Sequence, residues 1–124
     1  MILGIGIDAC QISRFESKAL ESNFAHRYFT SGEQDYIRSK GKQAVQTLAS
    51  LFASKEAALK ALGIGIASIP LSEIEICHTL QGQPYYKFLG KAAQAVGLHT
   101  LHLSITHEAG LAIAVAILEK GTYD

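Results

Sequence analysis

Glu56 and Lys60 stand one helical turn apart in the stretch FASKEAALKALG, Phe52 to Gly63. At i and i+4 they project from the same face of a helix. An acid and an amine so placed either form a solvated pair worth about 0.2–0.5 kcal/mol, or act on a ligand. In the second case the carboxylate suits a hard metal ion and the ammonium suits a phosphate. Asp8 is the next such residue. It follows the apolar run Ile2 to Ile7, just past Gly4 and Gly6, and is expected at a strand end. There it either caps a helix over residues 9 to 14 or serves as a hard-metal ligand. Magnesium takes one or two protein carboxylates and fills its shell with water and phosphate oxygens. Asp8 and Glu56 meet that need if the strand end abuts the helix. His107, after the strand LHLSIT, is either a hydrogen-bonded surface residue or a functional imidazole. His99, His102 and His107 do not have metal-ligand spacing. Gly63-Ile64-Gly65 and Gly82-Gln83-Pro84 are turns able to offer backbone N–H groups to a ligand, although turns require glycine for conformation alone. The two GIG tripeptides, Gly4 to Gly6 and Gly63 to Gly65, are not dinucleotide fingerprints, since neither has the third glycine at the required spacing.

The elements that must position these residues follow from periodicity. Ile2 to Ile7 reads as a buried strand. Residues 10 to 21 read as a short helix. Thr30-Ser31-Gly32-Glu33 has the form of a capping box that opens a helix through Arg38. Gly41 breaks it. Gln43 to Leu62 is the main helix, with Gly63 at its C-terminal cap. Around it, Leu48, Leu51, Phe52, Leu59 and Leu62 share one broad apolar face, with Glu56 and Lys60 along the edge. Lys55 falls in the middle of that face. A charge there must snorkel, pair with an acid, or face a polar cleft or a partner subunit. Ile64 to Pro70 is a turn-rich loop. Ile74 to His78 and Tyr85 to Leu89 form a hairpin, Lys91 to Val96 a short helix stopped by Gly97, and Leu101 to Thr106 a strand. Ala112 to Leu118 is a nearly continuous apolar strand, read as central or covered on both faces, with Gly110 in the turn before it. The order β-α-α-α-β-β-α-β-β predicts an α+β fold: one compact domain, residues 1 to 124, a mostly antiparallel sheet packed on a long helix and shorter ones.

Composition narrows the setting. Eleven Lys and Arg balance eleven Asp and Glu over 124 residues, and 48% of residues are apolar. A neutral chain gives no general attraction to nucleic acid or membrane, so neither is expected as a partner. The apolar start is interrupted at Asp8 and is too short for a signal peptide or a span. Cys10 and Cys77 have no redox or metal spacing and read as free buried thiols. The expected location is the cytoplasm.

In combination and in order, four segments resemble the small stand-alone 4′-phosphopantetheinyl transferases, the holo-[acyl-carrier-protein] synthase family. They are GIGIDACQISRF (Gly4 to Phe15), RYFTSGE (Arg27 to Glu33), FASKEAALKALGIGI (Phe52 to Ile66) and SITHEAGLAIAVAILE (Ser104 to Glu119). The stretch from Ile74 to Tyr85 is similar to the family's hairpin. The resemblance implies transfer of the phosphopantetheine arm of coenzyme A to a serine of apo acyl carrier protein, releasing adenosine 3′,5′-bisphosphate, in support of fatty acid biosynthesis. It implies magnesium held by Asp8 and Glu56, with Glu56, Lys60 and His107 as the catalytic set. Lys60 and His107 would meet coenzyme A phosphates, and Gly63, Gly65, Gly82 and Pro84 would border the nucleotide. Arg14 would meet the acidic carrier protein, with Phe15 adding apolar contact and Lys18 and Arg27 adding charge beside Glu16 and Glu21. It also implies a homotrimer with its sites at subunit interfaces, into which Lys55 and the strand Ala112 to Leu118 would fit.

Two positions depart from the pattern. Many family members carry arginine where this chain has Leu51, and lysine where it has Gln83. Both changes remove positive charge beside an expected anion, which implies either weaker coenzyme A binding or replacement by another cation such as Lys55 or Lys87. The alternative reading is a non-catalytic oligomer that binds coenzyme A or a carrier protein on the same scaffold.

Overall fold

The computed structural model describes residues 1–18, 22–65 and 68–122. Strand β1 (Ile2–Gln11) is followed by a 3-10 turn (Ile12–Phe15) and helices α1 (Ser22–Tyr28), α2 (Ser31–Ser39) and α3 (Ala44–Leu62). Then come the hairpin β2 (Ile74–His78) and β3 (Pro84–Phe88), helix α4 (Gly90–Val96), and the hairpin β4 (Thr100–Glu108) and β5 (Leu111–Glu119). The fold is α+β as expected. Two antiparallel sheets form, one of order β1-β5-β4 and one of β2-β3. The first and last strands pair, Gly6 opposite Ala116 and Asp8 opposite Ala114.

Helix α3 is the centre of the molecule. Ala49, Ala53, Ala57, Ala58 and Ala61 are buried along with Leu48, Leu51 and Leu59, so the helix is covered nearly all round rather than on one stripe. Small residues on both sides allow close approach. Ala112, Ala114 and Ala116 of β5 turn inward and are fully buried. On β1, a Cβ added at Gly6 would lie 2.0 Å from the Ala57 carbonyl oxygen, and one at Gly4 2.0 Å from that of Ala61. The strand backbone therefore rests directly on the helix backbone, which only glycine permits. Gly6→Ala is expected to lower unfolding free energy by about 3 kcal/mol, measured by denaturant titration. A loss within 0.5 kcal/mol (about the scatter of neutral surface changes) would mean that the contact can open.

The polar link between helices and hairpin is built on the residue that looked misplaced. Lys55 is fully buried. Its ammonium donates to Glu33 Oε1 at 2.8 Å, the Leu71 carbonyl at 2.9 Å and the Ile74 carbonyl at 2.6 Å, which uses all three of its protons. Glu33 is the acid of the predicted capping box, accepting from the Thr30 N–H while its own N–H donates to Thr30 Oγ1. Its second oxygen accepts from the Ile76 N–H at 2.9 Å. Burial pulls the Lys55 pKa down and Glu33 opposes that fall. Lys55 thus faces neither a cleft nor a partner, and it is not the replacement cation that the sequence suggested.

Two further expectations are corrected. Residues 9–11 continue β1, so Asp8 lies inside the strand and caps no helix. Only a 3-10 turn forms over Ile12–Phe15; Glu21 lies outside the described residues. The helix begins instead at Ser22, whose segment carries Phe24 and Tyr28 into an aromatic cluster with Phe15 and Phe52. Phe15 is fully buried in that cluster.

Candidate active site

The close β1–α3 contact sets one half of the site. Gly6 carries no side chain, and the Lys60 stem crosses over it. The Lys60 ammonium then donates to the Ile7 carbonyl at 3.0 Å and to Asp8 Oδ1 at 3.1 Å. Its ion pair is with Asp8, from a strand 52 residues away, rather than with Glu56 on its own helix. The solvated i,i+4 bridge is therefore not the arrangement adopted. Lys60 remains half-exposed, which leaves room at its ammonium for a further partner. The Cys10 thiol donates to the other Asp8 oxygen at 3.2 Å. Burial and the Asp8 charge push the Cys10 pKa up to about 12, so it is a neutral donor. The second thiol, Cys77, is only half-buried.

Glu56 lies in the same place. Its pKa is raised, first by burial and then by the negative charge of Asp8, against the pull of Lys60. A carboxylate whose ionisation is opposed by a second one, beside a single lysine, suits a divalent cation. Among the described residues no group of three or more His, Cys, Asp or Glu forms a metal cage. Magnesium needs none, since water and phosphate oxygens complete its shell around one or two carboxylates. Gly63 ends α3 just beyond, in the left-handed region at φ 69°. Its N–H and that of Ile64 are spent on the Lys60 and Leu59 carbonyls. Gly65 follows, accepting from the Ser68 N–H; Ile66 lies outside the described residues.

His107 belongs to a different group. Its Nε2 lies 3.1 Å from the Gln46 side-chain nitrogen, near the start of α3. With Gly82, Pro84 and Leu51 it lines a cleft of ≈ 290 Å³ that includes neither Asp8, Glu56 nor Lys60. Gln46 and Glu56 are ten helical residues apart, which is about 15 Å along α3. The glycine turn offers this cleft no free amide: the Gly82 N–H is spent on Thr79 and the Gln83 N–H on Thr79 Oγ1. The Gly82 turn thus contributes space rather than donors. Lys87 does not line the cleft and stands opposite Glu75 across the hairpin.

Arg14 is exposed on the 3-10 turn, within electrostatic reach of Cys10, its guanidinium 5.3 Å from the Phe15 ring centre. Lys18 and Arg27 sit likewise over Phe24 and Tyr28, which makes a cationic rim on the aromatic cluster. Phe15 beneath them is inaccessible and offers no apolar contact to a partner.

Sequence reasoning missed what the cleft adds around His107. Tyr36 and His78 stack with ring centres 4.0 Å apart, and the Lys40 ammonium lies 4.7 Å from the Tyr36 ring centre. Burial and the Lys40 charge lower the His78 pKa. No short-range motif announces this trio, because its members come from α2, the residue after it, and β2.

A family model described as the 4′-phosphopantetheinyl transferase superfamily matches residues 4–116. The chain is 42% identical to a holo-[acyl-carrier-protein] synthase of Treponema denticola, over 96% of this chain and 99% of that one. It is 45% identical to one of Trichlorobacter lovleyi, over 96% and 98%. Among solved structures it is similar to a holo-(acyl-carrier-protein) synthase of Bacillus anthracis in complex with coenzyme A (3′,5′-ADP). There the TM-score is 0.82 and the identity 32%, covering 98% of this chain and 99% of that one. The corresponding enzyme of Neisseria meningitidis gives a TM-score of 0.84 at 32% identity, covering 97% and 100%.

Proposed function

The chain belongs to the 4′-phosphopantetheinyl transferase superfamily, and on that premise we propose that it transfers the phosphopantetheine arm of coenzyme A to a serine of apo acyl carrier protein. Adenosine 3′,5′-bisphosphate is the second product, and the holo carrier serves fatty acid biosynthesis. The observation that carries this reading is the meeting of Asp8, Glu56 and Lys60 where β1 lies on α3. The non-catalytic alternative is not favoured, since near-full-length relatives are synthases and this charged set is complete.

Phosphoryl-type transfer asks a protein for positioning and charge neutralisation. Asp8 and Glu56 would hold magnesium, which when bound supplies positive charge to the pyrophosphate. Lys60 contributes a cation that the fold already directs at the same place. His107 contacts a phosphate from the cleft lined by Gly82 and Pro84, and Gly63 and Gly65 border the nucleotide. A water held by Glu56 takes the proton of the attacking serine. The rim of Arg14, Lys18 and Arg27 receives the acidic carrier. The setting is cytoplasmic; no helix among the described residues is long and apolar enough to cross a membrane. Mass spectrometry of apo acyl carrier protein incubated with the protein, coenzyme A and magnesium tests the whole reading. No added phosphopantetheine mass under any metal condition would sink it.

The separation of His107 from Glu56 favours a site completed by a neighbouring copy, in a homotrimer. The sheet face turned away from α3 supports the same assembly. Ile5 and Ile7 are about 60% exposed there, opposite Ile117 and Val115, with Ile113 alongside. A contiguous apolar face of that kind marks an interface. Asp8→Ala and His107→Ala proteins, each inactive alone, should when co-expressed regain about a quarter of wild-type transfer. That is the chance that random subunits supply one intact residue from each neighbour. No rescue, or a monomer mass by light scattering, would refute the shared site.

A further inference from the structure

The cleft beside His107 is chemically one-sided. Among the described residues no carboxylate lines it. Gln43, Gln46, Thr47 and Ser50 of α3 and its preceding turn supply side-chain donors, and Lys40 is its one permanent cation. An acid-free recess with amide and hydroxyl donors and a single ammonium is built for an anion. Leu51, which also lines it, adds no charge.

Lys40 follows the last residue of α2, and its backbone N–H is spent on the Ile37 and Arg38 carbonyls, so the main chain there is fixed. The exposed side chain is drawn over Tyr36, whose ring is itself held against His78 of the hairpin. A lysine drawn over an aromatic face samples fewer rotamers before binding, so it has fewer to lose on binding. Lys55 is sealed in the core and Lys87 points elsewhere, so neither competes for this role.

We propose that Lys40, positioned by the Tyr36–His78 stack, is the specificity-determining cation that binds a phosphate of coenzyme A in this cleft. The proposal rests on the transferase reading. Lys40→Gln should raise the calorimetric Kd for coenzyme A about tenfold, as expected for a lost charge-assisted hydrogen bond. It should also flatten the fall in affinity with added salt. Lys40→Arg should remain within about threefold of wild type and Lys87→Gln within about twofold, set against the same scale. At coenzyme A well below its Kd, transfer by Lys40→Gln should fall by the same factor of about ten. Wild-type affinity and salt dependence in Lys40→Gln, or an equal loss in Lys87→Gln, would overturn the assignment. Wild-type protein that binds no coenzyme A would instead overturn the transferase reading beneath it.

Discussion

Asp8→Ala or Glu56→Ala is expected to cut phosphopantetheine transfer on the order of a thousandfold, a loss comparable to removing one preorganised charge-stabilising group at a reacting centre. The fold should persist in both. Asp8 holds one proton of the half-exposed Lys60 and the thiol of Cys10, and exposed ion pairs contribute about 0–1 kcal/mol. Glu56 has the opposite sign of effect on stability. Its pKa is raised in the folded chain by burial and by Asp8. Folding then favours the protonated acid, and stability falls as pH rises from the unfolded pKa through the folded one. At neutral pH, without metal, Glu56→Gln should therefore raise Tm by about 1–3 °C. Magnesium should stabilise the wild type and leave Glu56→Gln unmoved, because only a bound ion repays the repulsion. Activity measured by carrier mass and melting followed with and without magnesium separate the effects. Retained transfer in either alanine variant would refute the metal assignment.

Lys55→Met should cost about 3–5 kcal/mol, because it strands the buried Glu33 carboxylate without its counter-charge. Both side chains are completely enclosed. Glu33 would still accept from Thr30 and Ile76, but its charge would be uncompensated. In a domain with about 5–15 kcal/mol of total stability this is a large fraction, and Tm should fall by more than about 10 °C. The double variant Lys55→Met/Glu33→Gln should recover part of the loss, since removing both charges removes the desolvation cost that one alone leaves behind. Chemical denaturation of the four proteins measures the coupling. A single-variant loss under about 1 kcal/mol would mean that water reaches the pair.

These two clusters lie on consecutive residues of α3, yet Lys55 and Glu56 have unrelated roles. A rotation of about 100° between neighbours in a helix sends one into the seam with α2 and β2 and the other towards β1. The helix itself was plain in the sequence, as were the Thr30–Glu33 capping box, Gly63 and the hairpin from Ile74. Each depends on contacts within about one turn or one loop. The segment after Asp8 was misread for the same reason. Its mixed pattern does not reveal that β1 runs on to Gln11, because the partner that extends it, Leu111 in β5, is a hundred residues away.

The sequence by itself determined most of the elements, the α+β class and, through its motifs, which residues to expect at a site: Asp8, Glu56, Lys60 and His107. Tertiary structure decided who pairs with whom. Lys60 answers to Asp8 because Gly6 clears a path over β1; Lys55 answers to Glu33 because the hairpin seals both in. His107 is held beside Gln46, itself about 15 Å along α3 from Glu56, which spacing in the chain could not disclose. Short-range patterns fix backbone conformation, whereas the partner of a charge depends on which distant segments packing brings beside it.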